Sequence, residues 1–361
     1  MILNYLKVKG SYLEVGKQIG IAFKKEIKEY IDFRYYQMYS EMKKLGYHFL
    51  QNEYKIYAWK LENYIKENAK NEYQELMGIS QVISKDISDI IFAIGYTDIF
   101  DLILERKVRE GVLIETEMNN ECSTFVINSN FQKVCGQNWD MDIVSKKNAC
   151  IMHKEYSDGL KICAVTTILG LVHMGMNNIG ISVGTANLGS KCVSASGVVF
   201  PIVIQNILKA QDREETLRIL NKYKFVSGHY YYVMYPQEDP LIIETNAEGY
   251  HEITLFENIF VHTNHYVNEM LKKDAINYSR DSIKRKKAME KYLKQDKIIS
   301  EQYIKKILAD HDNGICRHSD NKCDIVTASS VIFNPVERQM QVCNDAPCKG
   351  EWIVYNMNSI F

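Results

Sequence analysis

Missing from this chain is any run of residues both long and apolar enough to cross a bilayer. The most apolar windows, Ile90 to Leu104 and Val198 to Leu208, are short or broken by Asp98, Asp101 and Gln205. An excess of charge is missing too: 44 basic and 45 acidic residues leave a formal net charge of -1. That balance excludes a global attraction to nucleic acid, anionic lipid or a polyanionic substrate, so partners must be recognised at local sites. Met1 to Gly10 holds no basic segment followed by an apolar one. The 9 cysteines are odd in number and irregularly spaced, so they suggest no disulfide frame. A reducing cytoplasm is the compartment these features predict, with no membrane and no nucleic-acid partner.

What the chain has is apolar mass. With 46% hydrophobic residues over 361 positions it can bury a full core in one large domain or two tightly associated ones. From about Tyr12 to Arg109, apolar residues recur every three or four positions, as in Ile19, Phe23, Ile27, Tyr30 and Ile31, which predicts a helical first third. Beyond Asn120 the period shortens. Thr124 to Asn128, Lys161 to Thr166, Gly180 to Gly184 and Tyr230 to Tyr235 read as short strands between Gly and Asn turns. Helices are expected at Phe200 to Lys222, Ser279 to Lys294 and Ser300 to Ala309. Strands return at Thr327 to Phe333, Gln339 to Cys343 and Trp352 to Met357. This order fits stacked sheets with helical layers outside better than strand–helix alternation. No repeat or Pro/Ser-rich linker divides the chain, and the nearest thing to a boundary is the polar stretch Glu115 to Glu121.

Cys122 follows that stretch and opens a strand-like run, so its thiol stands at a strand edge beside an accessible peptide bond. A single cysteine among 9 is ordinarily a small buried hydrophobe. The segment Cys135-Gly-Gln137-Asn138-Trp139-Asp140-Met-Asp142 changes its reading. Two strands joined by a turn near Ser129-Asn130 return Asp140 alongside Cys122, where a carboxylate can hold an amine in place.

On Cys122-Ser-Thr together with Gly136-Gln-Asn-Trp-Asp140, the sequence resembles the acyl-coenzyme A:6-aminopenicillanic acid acyltransferase family, also described as peptidase family C45. The resemblance extends along most of the chain. Tyr73-Gln-Glu75-Leu-Met-Gly78-Ile79 is similar to the family's Glu-Leu-x-Gly-Ile-Ala segment, and Gly175-Met-Asn177-Asn178-Ile-Gly180 to its Gly-Met-Asn-x-x-Gly turn. His262-Thr263-Asn264-His265 resembles its Thr-Asn-His segment, Asp281-Ser282-x-x-Arg285 its Asp-Ser-x-x-Arg helix, and Asp310-His311 with Ile315-Cys316-Arg317-His318 the region before its late strands.

The resemblance implies an α+β, four-layer αββα N-terminal-nucleophile hydrolase fold with a helical N-terminal segment. It further implies a precursor that cuts itself between Glu121 and Cys122 into residues 1–121 and 122–361, which stay together. In that scheme the Cys122 thiol attacks the Glu121 carbonyl, an N-to-S acyl shift gives a thioester and frees the α-amine, water releases the two chains, and the α-amine then serves as the base. Asp140 matches the family's catalytic aspartate, Asn264 its oxyanion-stabilising asparagine and Arg317 its late arginine near the active site. No cofactor is implied; the expected substrate is a small amide or an acyl-coenzyme A type thioester, hydrolysed or transferred through a thioester on Cys122.

Two positions depart from the pattern. Glu121 stands where the penicillin-pathway enzyme has glycine, and Gln137 stands where related hydrolases carry arginine, which favours the acyltransferase branch. The alternative to an enzyme is a retired member that binds or scaffolds, its maturation blocked by Glu121. Other motifs read blandly. His311, Cys316, His318 and Cys323, with Cys343 and Cys348, have the residue types of a zinc site, but two short Cys-x-x-Cys knuckles are absent and no metal is expected. Arg285, Lys286 and Lys287 read as a solvated helix face.

Overall fold

A computed structural model of the chain describes residues 3–46, 53–109, 121–276, 280–294, 299–319 and 324–361. It opens with a strand that the helical periodicity did not announce, β1 (Asn4–Gly10). Ser11 turns it into a helix through a capping box: its hydroxyl accepts the Glu14 N–H while the Glu14 carboxylate accepts the Ser11 N–H. The apolar spacing of the first third then yields α1 (Tyr12–Ala22), α2 (Lys24–Lys44), α3 (Glu53–Asn68), α4 (Lys70–Ile83), α5 (Ile87–Ile94) and α6 (Tyr96–Arg109). The polar stretch read as a boundary lies, apart from Glu121, outside the described residues.

The sheet-rich part follows as β2 (Glu121–Asn128), β3 (Lys133–Asp142), a short α7 (Ile143–Lys147), β4 (Ala149–Tyr156), β5 (Lys161–Thr167), β6 (Val172–Asn177) and β7 (Ser182–Asn187). The helix expected over Phe200 to Lys222 is two, α8 (Phe200–Ile207) and α9 (Arg213–Lys222). The break falls at Asp212, whose side chain accepts the Glu215 N–H at 2.7 Å and so starts α9 as a new helix. Next come β8 (His229–Met234), β9 (Leu241–Asn246), β10 (Gly249–Glu252) and β11 (Ile259–His262), then α10 (Arg280–Leu293) and α11 (Glu301–Leu308). The described chain closes with β12 (Ile325–Asn334), β13 (Gln339–Cys343), β14 (Trp352–Asn356) and α12 (Met357–Ile360).

The strands form an eight-stranded sheet, ordered β1-β4-β5-β6-β7-β8-β9-β10, and a six-stranded sheet, ordered β11-β2-β3-β12-β13-β14. Period-two alternation distributes each strand between two cores. In β8, Tyr231 and Val233 pack under the helices while Tyr230, Tyr232 and Met234 fill the space between the sheets. In β2, Cys122 and Val126 face that inter-sheet core while Phe125 and Ile127 meet Met289, Leu293, Ile304 and Leu308 of the outer helices α10 and α11. Three apolar layers thus separate four structural ones, and the architecture is the αββα sandwich of the N-terminal-nucleophile hydrolases. Every ring of Tyr230 to Tyr232 is core.

The helical segment is not a separate body. β1 pairs in parallel with β4, and α1 and α4 cross so closely that a Cβ on Gly16 would sit 1.9 Å from the Glu75 carbonyl oxygen and one on Gly78 2.3 Å from that of Leu13. Glu75 itself is fully buried and accepts from Lys154 Nζ at 2.7 Å, Tyr156 at 2.6 Å and Gln205 Nε2 at 3.0 Å. This satisfied network fastens α4 to β4 and α8, and the buried charge is tolerated only because every partner is present. Among the described residues no helix is long and apolar enough to cross a membrane.

Replacing Gly78 with Ala is expected to force α1 from α4, with a stability loss of about 1–3 kcal/mol from overpacking. Urea denaturation would read this, and a change within about 0.5 kcal/mol, ordinary for a surface substitution, would contradict the close crossing.

Candidate active site

The site begins with a hairpin. Ser129 and Gln132 close the turn between β2 and β3, the Ser129 N–H donating to the Gln132 carbonyl at 2.9 Å and its hydroxyl accepting the Gln132 N–H at 3.0 Å. The resulting register sets Glu121 opposite Asp140 and Cys122 opposite Trp139. Asp140 therefore returns beside the candidate nucleophile, as the spacing predicts. Alternation points Cys122 between the sheets and Glu121 and Asp140, as cross-strand neighbours, toward the outer helices.

Asn264, just past β11, reaches the same strand: its Oδ1 accepts the Cys122 N–H at 2.8 Å, and its Nδ2 donates to the Asn187 carbonyl at 3.1 Å. Its position is over-determined. The Asn264 N–H donates to Ser282 Oγ at 2.8 Å, His265 Nδ1 lies 2.7 Å from the same oxygen, and Thr263 Oγ1 donates to the Ser282 carbonyl at 2.9 Å. The Thr-Asn-His segment and the Asp-Ser-x-x-Arg helix are thus two halves of one lock.

Arg285 corrects the expectation of a solvated basic face. Lys287 is exposed, but the Arg285 side chain is fully buried, because this turn of α10 lies against the start of β2. Its guanidinium donates to the Cys122 carbonyl, Ser123 Oγ at 2.9 Å, Glu121 Oε2 at 2.9 Å, Asn264 Oδ1 at 3.0 Å and Asp281 Oδ2 at 3.0 Å. Sequence reasoning missed this residue as a site component. The signal was its place in the Asp281-Ser282-x-x-Arg285 match, which charge patterning overrode.

Arg317, 18% exposed, completes the cluster by pairing with Glu121 and Asp281, its Nε lying 3.7 Å from Asp140 Oδ2. Its backbone N–H donates to Thr327 Oγ1 at 2.8 Å, and that hydroxyl donates to Asp140 Oδ1 at 2.6 Å. Three carboxylates and two guanidiniums therefore surround the Glu121–Cys122 peptide. Burial pushes the Cys122 thiol up to about 12, with the Asp140 charge adding to it. Burial also lifts Asp140 to about 6 and Glu121 above the usual carboxylate range, against the pull of both arginines.

Cys122, Gln137, Trp139 and Asp140 line a cavity of about 50 Å³ whose far wall is the helical segment: Tyr30 and Arg34 of α2, Ala93 and Ile94 of α5, Tyr96 and Thr97 of α6. The wall is mostly aromatic and apolar, with polar atoms set into it. Among the described residues, Thr97 Oγ1, Thr167 Oγ1, His229 Nδ1 and the Asn187 side-chain amide are buried there without hydrogen-bond partners. Arg34 is tied up by Asp142 at 3.2 Å and the Tyr30 hydroxyl at 2.7 Å. Burial holds His173 down, at about 3, so it is a neutral ring at the cavity wall. Away from this cavity, His311, Cys316, His318 and Cys348 place their ligand atoms within 4.8 Å of one another; Cys323 lies outside the described residues.

Cys122 thus opens a strand and faces the space between the sheets of an αββα sandwich, with Asn264 at its backbone N–H and Asp140 on the neighbouring strand. The family model described as acyl-coenzyme A:6-aminopenicillanic acid acyl-transferase matches residues 127–349, and the chain belongs to that family. The 40 kDa form of acyl-coenzyme A:6-aminopenicillanic-acid-acyltransferase from Emericella nidulans is 23% identical over 345 residues, 94% of this chain and 91% of the relative. Two solved structures are similar in part. A mutant conjugated bile acid hydrolase from Clostridium perfringens matches 66% of this chain and 92% of its own at 11% identity and a TM-score of 0.45. Penicillin V acylase from Agrobacterium tumefaciens matches 66% and 86% at 11% identity and a TM-score of 0.44.

The raised Asp140 carboxyl has a consequence for stability. A carboxyl that ionises at about 6 in the folded chain, against 3.8 ordinarily, contributes stability that is complete below pH 3.8 and lost as pH rises through 6. In a Cys122→Ala background, Asp140→Asn is therefore expected to gain on its parent between about pH 4 and about pH 8, by on the order of 1–3 kcal/mol. Urea midpoints at the two pH values measure it; a gap that shrinks with rising pH would reverse the assignment.

Proposed function

We propose that the chain is a self-cleaving cysteine enzyme that hydrolyses or transfers the acyl group of a small amide or acyl thioester through a thioester on Cys122. The observation that carries this reading is the convergence of Cys122, Asp140, Asn264, Arg285 and Arg317 on the Glu121–Cys122 peptide, with Cys122 open to the cavity. Self-cleavage separates residues 1–121 from 122–361. The Cys122 sulfur bonds to the Glu121 carbonyl carbon, the C–N bond breaks, and the nitrogen takes the thiol proton. Water then releases Glu121 as a carboxylate and restores the thiol.

Asp140 suits the role of proton acceptor in the first step, since a carboxyl near 6 can take a proton and return it at neutral pH. Glu121 is a brake on that step as much as a cleavage residue: its charge helps raise the Cys122 thiol. Cleavage lets Glu121 leave Arg285 and Arg317, so the thiol becomes more acidic once the new α-amine, ordinarily near ~8, stands beside it as base. Asn264 Nδ2 then exchanges the Asn187 carbonyl for the developing oxyanion, the role an asparagine donor fills in acyl transfer.

The substrate follows from the cavity. Its aromatic wall suits an apolar or aryl acyl group, and the unpartnered Thr97, Thr167, Asn187 and His229 atoms ask for hydrogen-bonding groups on that acyl part. Because α2, α5 and α6 supply the far wall, the cleaved helical fragment stays as part of the binding site. A small N-acyl amide with water as acceptor is the favoured substrate, and the compartment remains the cytoplasm proposed from the cysteine pattern.

Intact mass under denaturing conditions tests the reading. Wild type is expected to give two fragments, one beginning at Cys122, and Cys122→Ala a single chain. A single chain in both would move the assignment to a retired family member that binds rather than reacts. Among cleaved proteins, Asn264→Ala is expected to lower kcat by about 10²–10³ with substrate binding retained. A loss confined to KM would remove Asn264 from the oxyanion role.

A further inference from the structure

We propose that His311, Cys316, His318 and Cys348 bind one structural Zn²⁺ ion that clamps the loop carrying Arg317. The four residues come from two turns far apart in sequence, between α11 and β12 and between β13 and β14. His311 Nε2 lies 3.2 Å from His318 Nε2, which is 3.1 Å from Cys348 Sγ. The two sulfurs are 3.7 Å apart, and Cys316 Sγ is 3.9 Å from His318 Nε2. A tetrahedron with Zn–S near about 2.3 Å and Zn–N near about 2.0–2.1 Å has edges of roughly 3.3–3.8 Å. These separations bracket those edges, and the exposed His311 and His318 rings can take up the difference by rotamer adjustment.

Both turns are built independently of any ion. The Gly314 N–H donates to the His311 carbonyl at 3.0 Å and the Cys316 N–H to the Asp310 carbonyl at 2.8 Å, while Asn138 Nδ2 holds the Ile315 carbonyl at 2.7 Å. Opposite, the Asn344 N–H donates to the Glu351 carbonyl at 3.1 Å and the Gly350 N–H to that of Ala346 at 2.8 Å. A Cβ on Gly350 would lie 2.5 Å from Cys343 Sγ, so that glycine lets the second turn close. Preformed backbone on both sides presents two sulfurs and two imidazole nitrogens to one point, where two thiolates neutralise a divalent ion. Binding releases two protons, one from each thiol. A soft-and-borderline S₂N₂ set at tetrahedral spacing selects Zn²⁺ over the oxygen-seeking Mg²⁺ and Ca²⁺.

The sequence offers these residue types but not a familiar spacing, because the fourth member is Cys348, 30 residues beyond His318, rather than a second local knuckle. Its position gives it work. Arg317 lies between two ligands, so the ion fixes the backbone from which that guanidinium reaches Glu121, Asp140 and Asp281.

The test uses the full chain, purified under reducing conditions, stripped with a chelator, reloaded with Zn²⁺ and desalted. Mass-spectrometric metal analysis is expected to find about one zinc per wild-type chain, and a large loss in Cys316→Ser/Cys348→Ser and in His318→Gln. The last is an exposed position that keeps the test open if the double variant fails to fold. Loaded with Co²⁺ instead, wild type is expected to show thiolate-to-cobalt charge transfer and tetrahedral d–d bands that His318→Gln weakens. Zinc content equal in wild type and a folded His318→Gln would overturn the site, as would a Cys316–Cys348 disulfide detected in protein purified without added reductant. Metal content is read without reference to self-cleavage, so this inference and the proposed function fail separately.

Discussion

The structure around the candidate nucleophile depends on one desolvated cation. A guanidinium taken fully out of water is tolerated only where hydrogen-bond acceptors satisfy it, and Arg285 finds them on the first residues of β2, on Asn264 and on its own helix at Asp281. Those demands draw α10 onto the end of the six-stranded sheet. They also bring Ser282, one turn earlier on the helix, under the Thr263-Asn264-His265 segment. The asparagine at the Cys122 amide is therefore placed by the same helix that neutralises Glu121. Removing the charge without its partners would leave a buried carboxylate beside the Glu121–Cys122 bond, which is why these residues form one unit rather than a set of contacts.

A second constraint sets the cavity. The eight-stranded sheet packs one face against α1 to α6, where α1 and α4 cross closely at Gly16 and Gly78 and α2, α5 and α6 supply residues to the cavity wall. The cavity is thus bounded by both sides of the Glu121–Cys122 bond. Glu75, with Lys154, Tyr156 and Gln205, locks that arrangement from within. The Glu75-Leu-Met-Gly78-Ile79 segment, distant from Cys122 in sequence, thus helps hold the cavity wall against the sheet.

Much of this was legible in the residues. Spacing of three and four marked the helical third, alternation marked the strands, and the interval from Cys122 to Asp140 marked the hairpin with its turn at Ser129. Three features were not. β1 reads as the polar-flanked run Asn4–Gly10 and becomes a strand because β4 offers it a parallel edge. The single helix over Phe200 to Lys222 splits because a local cap at Asp212 outweighs continued apolar spacing. Arg285 sits among lysines, and charge patterning cannot tell which cation in a run turns inward.

What the sequence by itself determined is whatever depends on near neighbours along the chain: helix and strand periods, capping residues, the β2–β3 register and the order of the family's motifs. Only the tertiary structure decided which distant side chains share a desolvated space. The Arg285 pairing with Glu121, the Arg317 bridge to Asp140, the cavity wall from α2 and α6, and Cys348 beside Cys316 all join residues separated by long stretches of chain. The reason is physical. Local conformational preference acts over a few residues, whereas the cost of burying a charge or a polar atom is settled only by what the rest of the fold brings to meet it.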